Sequence, residues 1–221
     1  MKELVEDRPA SRLAILIDQN ALSGRGRAIF FKAAATISPD EVNVMATHGR
    51  GIISAAMRPE RAYALQLYPM RKLSLDRAAS TYFTSVEAAR CTETGISTSE
   101  RALTLNTLGD RSSRSEDLVT PGHIMPAVIS REAPGALELV SLALDYELQT
   151  SGADAIAWCD ILDKQGDVAC TAFCAELAGR VGCPILIIRG TAVIEAEALA
   201  FSRELPNLKV GVTGLDLGQF A

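Results

Sequence analysis

Apolar residues fall in two patterns along this chain: short unbroken runs, and longer stretches where they recur every three or four positions. The first pattern predicts buried strands and the second amphipathic helices. LAILI at 13–17 reads as a strand, with AIFF at 28–31 as its hairpin partner. SPDEVNVMATHG predicts a helix capped by Ser38, with Pro39 at its first position and Asp40 and Glu41 against the positive end of its dipole. Val42, Met45 and Ala46 form its inner face, and Gly49 ends it. GIISAAM is the next strand, RPERAYALQL a helix ending near Pro69, and YFTSVEAA a strand. TSERALTLNTLGD is a helix capped by Thr98 or Ser99, with Ala102, Leu103, Leu105 and Leu108 apolar. In VTPGHIMPAVIS, Pro121 and Pro126 forbid a helix and predict a loop followed by a strand. GALELVSLALDYELQTSG has the best amphipathic helical pattern in the chain. After it come a strand (ADAIAWCDIL), a helix stopped by Gly182 (CTAFCAELAGRVG), a strand and turn (CPILIIRGTAV) and a last helix (IEAEALAFSRELP).

This alternation predicts an α/β or α+β class. No internal repeat and no Pro/Gly/Ser-rich linker divides the 221 residues, so one domain over 1–221 is expected. Hydrophobic residues make up 48% of the chain but aromatics only 5%, so aliphatic side chains must build the core. The net charge of −5 argues against a general nucleic-acid binder, while leaving room for a local site for a small anion. No apolar run approaches the roughly 20 residues of a membrane span, and the polar N-terminus does not read as a signal peptide. Five widely spaced cysteines do not suggest a disulfide framework, and a cytoplasmic location is expected.

Several segments carry candidate chemistry. The loop NALSGRGR, with Arg25 and Arg27, suits either a phosphate cradle or a hairpin loop with solvated arginines. THGRG places His48 at a helix end, where capping is its ordinary role, and flanks Arg50 with glycines that permit a strained backbone. In TETGIST, a glycine turn meets a helix N-terminus around Thr94; it serves as an anion site or as a plain cap. Cys91 just before it is either a buried small residue or a thiol activated by the helix. PGHIMP holds His123 between two prolines, which suits a positioned acid–base group. In WCDILD, Asp160 shares a strand face with Trp158: if that face is inward, the carboxylate is costly unless paired and is a functional candidate, and if it is outward, Asp160 is simply exposed. Cys170 and Cys174, four apart with no histidine nearby, are better explained by packing than by a metal.

Together, TSVEAARCTETGISTSERALTLNTLGD and SEDLVTPGHIMPAVISR resemble the 3,4-dihydroxy-2-butanone 4-phosphate synthase family of riboflavin biosynthesis. They match its stretch from a T-x-T-G-I/V-S helix start to a P-G-H-I/V-x-P segment. THGRG resembles the family's R/T-H-G-x-G turn, and LAILIDQ…IFF its first two strands. The resemblance implies an α+β sandwich-like fold, a mixed sheet with flanking helices, and a homodimer with active sites between subunits. It also implies ribulose 5-phosphate as substrate, dihydroxybutanone phosphate and formate as products, and magnesium.

Three regions carry that chemistry in the family, and two depart here. The acidic loop D-D-E-D-R-E-N-E-G-D reads Asp18, Gln19, Asn20, Ala21, Leu22, Ser23, Gly24, Arg25, Gly26, Arg27. The magnesium-binding Glu falls on Ser23 and the substrate-binding Asp on Arg27. The R-x-G-H-T-E region reads Arg131 to Leu137 with a short deletion; its Arg matches Arg131, and its metal-binding His is gone. The third region keeps His123 for the family's essential histidine and Asp160 for its essential Glu. Magnesium prefers hard oxygen ligands, so a site without metal or cofactor is expected.

The first functional expectation is a divergent, magnesium-independent enzyme of lyase or isomerase type, serving a specialised biosynthetic pathway. Its substrate is another small anionic or polyhydroxylated molecule. Arg25, Arg27, Arg131, Thr94 and His48 would bind that substrate, while His123, Asp160 and Cys91 would move protons. The alternatives are a non-catalytic relative that acts as a binding partner, and the synthase itself with substitute ligands.

Overall fold

The computed structural model describes residues 11–18, 27–70, 81–131, 135–189, 192–196 and 214–216. The predicted hairpin forms: β1 (Ala14–Asp18) pairs antiparallel with β2 (Arg27–Ala33), with Ile17 opposite Ala28 and Asp18 opposite Arg27. Arg27 is therefore the first strand residue rather than part of the loop. Arg25 and Ser23 lie outside the described residues. Both strands are apolar almost throughout because both of their faces are covered.

The remaining strands are β3 (Ser54–Met57), β4 (Thr81–Tyr82), β5 (Val86–Ala88), β6 (Leu118–Val128), β7 (Ala155–Asp160), β8 (Ile185–Arg189), β9 (Ala192–Ala196) and β10 (Gly214–Asp216). Among the described residues they form one mixed sheet, ordered β10-β9-β8-β1-β2-β7-β3-β6-β4, with β5 lying beyond β4 along the same edge of β6. β1 runs parallel to β8, and β3 parallel to β6; the other pairs are antiparallel. This is the α+β mixed sheet expected from the sequence.

Helices cover both faces. On the first face, α1 (Pro39–Val44), α3 (Thr98–Gly109) and α5 (Thr171–Val181) bury Val42, Leu105, Leu108, Cys174 and Leu177 against Ile15, Ile17, Phe30 and Ala157. On the second, α4 (Glu138–Thr150) lays Leu139, Val140, Ala143 and Leu144 over Leu16, Phe31, Ile156 and Trp158. Tyr146 meets the Phe31 ring edge-on at 5.9 Å. A short helix, α2 (Pro59–Ala64), follows β3.

The structure corrects four local expectations. Ser97, not Thr98 or Ser99, caps α3, since its hydroxyl accepts the Glu100 N–H at 3.2 Å. VTPGHIMPAVIS is not a loop followed by a strand: β6 runs through both prolines, and its register against β5 shifts between Val86 and Glu87. The shift skips 120–123 of β6, positions where no ladder N–H is needed, which accommodates Pro121; Pro126 stays in register with Ala55 of β3. YFTSVEAA is two short strands rather than one. The last predicted helix begins as strand β9, while 197–213 lie outside the described residues.

Candidate active site

In the middle of the sheet, Phe31, Trp158, Ser54 and Met125 lie side by side in one row across β2, β7, β3 and β6. Two residues beyond that row, at the same end of the sheet, stand Asp160 on β7 and His123 on β6. Asp160 shares the face of buried Trp158, the face that α4 covers, whereas His123 lies in the stretch 120–123 of β6 that falls between Ile124, opposite Val86, and Val119, opposite Glu87. Their strands are two spacings apart, about 10 Å. Ile52, 68% exposed, leads into β3 between them. A carboxylate and an imidazole thus flank an open strand end.

Asp160 is not left unpaired. Arg27 Nε donates to its Oδ1 at 2.9 Å, and Arg27 Nη1 donates to the carbonyl of Ala136, just before α4. The same guanidinium lies 5.9 Å from the centre of the Trp158 ring. The two paired side chains retain 28% and 35% of their exposure, so the pair sits at a rim. Tyr82 on β4 joins this face; burial, with Asp160's charge adding to it, raises its hydroxyl pKa above the usual value. Gly49 and Gly51 let the THGRG turn press against the end of β7. A Cβ on Gly51 would lie 2.7 Å from the Asp160 carbonyl oxygen, and one on Gly49 2.8 Å from Cys159 Sγ. Between them Arg50 takes the left-handed conformation (φ 68°) that its flanking glycines suggested, and its Nη1 donates to Asp163 O. His48, half-buried, sits in the wide last turn, Met45–Gly49, that extends α1.

His123 is held from the other side. Its Nδ1 bonds Glu87 Oε1, from the middle of β5. Glu87 is only 14% exposed and lies flat against Gly95, where a Cβ would fall 2.1 Å from the Glu87 carboxyl carbon. Gly122 gives β6 similar room, since its Cβ would meet the Val86 carbonyl carbon at 2.0 Å. The glycine turn is fixed by Glu100 of α3, whose carboxylate accepts N–H groups from Thr92, Glu93 and Gly95 at 2.9, 2.8 and 2.7 Å.

Several candidates land elsewhere. The N–H groups that suggested an anion site around Thr94 are already taken by Glu100, so the turn offers Thr94 as an exposed side chain, not a ring of free donors. Cys91 lies seven residues ahead of α3, with Sγ 3.8 Å from Glu100 O and Thr104 Oγ1. Arg131 does not join the site: it follows the far end of β6, with Nη2 3.7 Å from Asp145 of α4, beside buried Arg58. The structure therefore pairs Arg27 with Asp160, with His48 in the adjoining turn, sets His123 at the same end of the sheet against Glu87, and separates Arg131 from them. Sequence reasoning missed Glu87, Glu100 and Tyr82. For Glu87 a signal existed, an acid between two buried apolar residues of SVEAA.

The magnesium implied by the resemblance does not fit these residues. Hard oxygen donors are needed, yet a guanidinium lies on Asp160, and 19–26 contains no carboxylate. Among the described residues, no group of three or more His, Cys, Asp or Glu is placed to hold a metal. Nor is any helix there long and apolar enough to cross a membrane.

The family model for 3,4-dihydroxy-2-butanone 4-phosphate synthase matches residues 2–195. A protein of that name from Sulfurospirillum multivorans is 33% identical over 172 residues, covering 76% of this chain and 47% of that protein. The riboflavin biosynthesis protein RibBA of Bacillus velezensis is 31% identical over 183 residues, covering 81% of this chain and 45% of that protein. The chain thus spans less than half the length of these relatives. Among solved structures, the synthase of Candida albicans superposes with a TM-score of 0.67 at 23% identity, over 80% of this chain and 87% of that one. At that identity the likeness shows the fold.

Proposed function

The chain belongs to the 3,4-dihydroxy-2-butanone 4-phosphate synthase family, and on that premise we propose that it carries a divergent, magnesium-independent acid–base site of the family's lyase type. Its substrate is a small phosphorylated or otherwise anionic polyhydroxy compound of a specialised pathway. One observation carries this reading: the Arg27 guanidinium bridges Asp160 and the Ala136 carbonyl. An arginine is charged at every working pH and has five N–H donors. With two engaged in that bridge, another is available to a substrate oxygen, where it supplies fixed positive charge. His123 and Asp160 then take and return protons on a molecule lying across the strand ends between them. Arg25, near in sequence, adds positive charge for the anionic group, and Thr94 and His48 serve as polar contacts. As in the resemblance, the working unit is a homodimer with sites between subunits.

The test is formate release from ribulose 5-phosphate, measured with magnesium and again with EDTA. A thermal-shift screen with sugar phosphates in EDTA runs alongside. The reading expects no EDTA-sensitive formate, and stabilisation by a sugar phosphate that is lost in His123→Ala. The names of the relatives favour a second reading, the riboflavin-pathway synthase itself. Formate that EDTA abolishes supports that one and overturns the first. A protein that binds none of the compounds is the non-catalytic relative.

A further inference from the structure

Glu87 is not among the candidate residues read from the sequence, yet its carboxylate meets the His123 ring. Val86 and Ala88 on either side of it are buried, and at the register shift between β5 and β6 its carboxylate meets His123. Three separate features keep it there. Gly95, at φ +76°, leaves the carboxylate room to lie against its backbone. Glu100 fixes the turn bearing Gly95 through three N–H bonds. Gly122 lets β6 approach the backbone of β5 closely. The outcome is one contact, Glu87 Oε1 to His123 Nδ1.

We propose that Glu87 is a positioning residue for His123, accepting from Nδ1–H so that the ring is fixed in orientation and Nε2 is left as the proton-accepting nitrogen. Which ring nitrogen carries the proton is set by the bond the other makes. A mobile, 43% exposed imidazole would otherwise sample both tautomers and several rotamers. A carboxylate partner also favours the imidazolium that forms once Nε2 takes a proton. The proton bookkeeping is simple: Nε2 gains the proton, Nδ1 keeps its own, and Glu87 stays ionised. The idea rests on the reading of His123 as the acid–base group, but its test does not use activity.

Only two histidines are present, so ring nitrogens are readily assigned in a ¹⁵N-labelled protein, with His48→Gln removing the other signal set. The expected spectrum of neutral His123 shows protonated Nδ1 and unprotonated Nε2. Glu87→Met removes the acceptor and should move the population toward the Nε2–H form. Glu87→Gln retains an acceptor oxygen and should preserve the wild-type pattern. Gly95→Ala leaves every charge in place but crowds the carboxylate, and should resemble Glu87→Met. If the wild-type ring is mainly Nε2–H, or Glu87→Met leaves the spectrum unchanged, the proposal is wrong. The wild-type spectrum decides the matter even if a variant does not fold. An Nδ1–H ring in a protein whose ligand binding ignores His123→Ala would keep the positioning role and refute the functional reading alone.

Discussion

Breaking the pair between Arg27 and Asp160 gives the most quantitative check on the site. At a charge separation of 4 Å and an effective dielectric constant of 20, the attraction is about 4 kcal/mol. Both side chains keep about a third of their exposure, so solvent screens most of it. Exposed pairs measure about 0.2–1 kcal/mol, and removing one partner of a buried pair costs about 3–5 kcal/mol. This rim position argues for a loss of about 1–2 kcal/mol in Arg27→Gln or Asp160→Asn. In a domain of this size that lowers Tm by about 2–8 °C. Because the two residues touch, the double variant should fall short of the sum of the singles by about 1 kcal/mol. Arg27→Lys should not rescue: a point charge cannot bond Asp160 through Nε while bonding the Ala136 carbonyl through Nη1. Urea melts of the wild type and the four variants measure all of this. Single-variant losses that add to within about 0.3 kcal/mol would show that the residues are independent, and the bridged guanidinium would lose its meaning.

Three further outcomes follow from named contacts. Gly51→Ala should destabilise the protein by about 1–3 kcal/mol, because its Cβ meets the Asp160 backbone; Gly179→Ala, in a helix with nothing within 4 Å, should instead raise Tm. Equal effects in thermal melts would contradict the packing around Asp160. The Glu93 N–H, with those of Gly95 and Thr92, holds the Glu100 carboxyl below its usual pKa of 4.5, so its contribution is complete above that pH and is lost as the pH falls through its lower folded value. The stability advantage of wild type over Glu100→Gln should therefore shrink below pH 4.5, and a constant gap from pH 7 to pH 3, read by chemical melts, would refute it. Burial pushes the thiols of Cys159 and Cys174 up to about 12 and that of Cys183 to about 11, whereas Cys170 is exposed. Maleimide labelling of the native protein, followed by peptide mass spectrometry, should mark Cys170 and spare those three; early labelling of Cys159 would contradict the core.

Much of the sheet was legible because its strands are covered on both faces and so read as unbroken apolar runs. LAILI, AIFF and AIAWC are examples, and they pair as neighbours in the centre. Helix ends were legible where capping chemistry is local, as at Ser38 and Gly182. Strand limits failed where pairing depends on distant partners: β6 carries Pro121 because its bulge against β5 accommodates it, and no local pattern announces that. Asp160 was recognisable as a carboxylate sharing a face with Trp158. Its partner was not, because Arg27 lies 133 positions away and looks like a loop residue in sequence. Arg131 was proposed from its match to the Arg of the family's R-x-G-H-T-E region, and within the chain an extended strand carries it to the opposite end of the sheet. The TETGIS turn invited an anion, and the chain supplies one itself in Glu100.

The proposal at stake is an acid–base site that works without magnesium, with Asp160 held by the Arg27 guanidinium. Formate release from ribulose 5-phosphate, followed with and without EDTA on the purified protein, meets that claim most directly. The account predicts no formate that depends on magnesium, and sugar-phosphate binding in EDTA that requires His123. Steady formate production with magnesium, abolished by EDTA and restored by added magnesium, would contradict it.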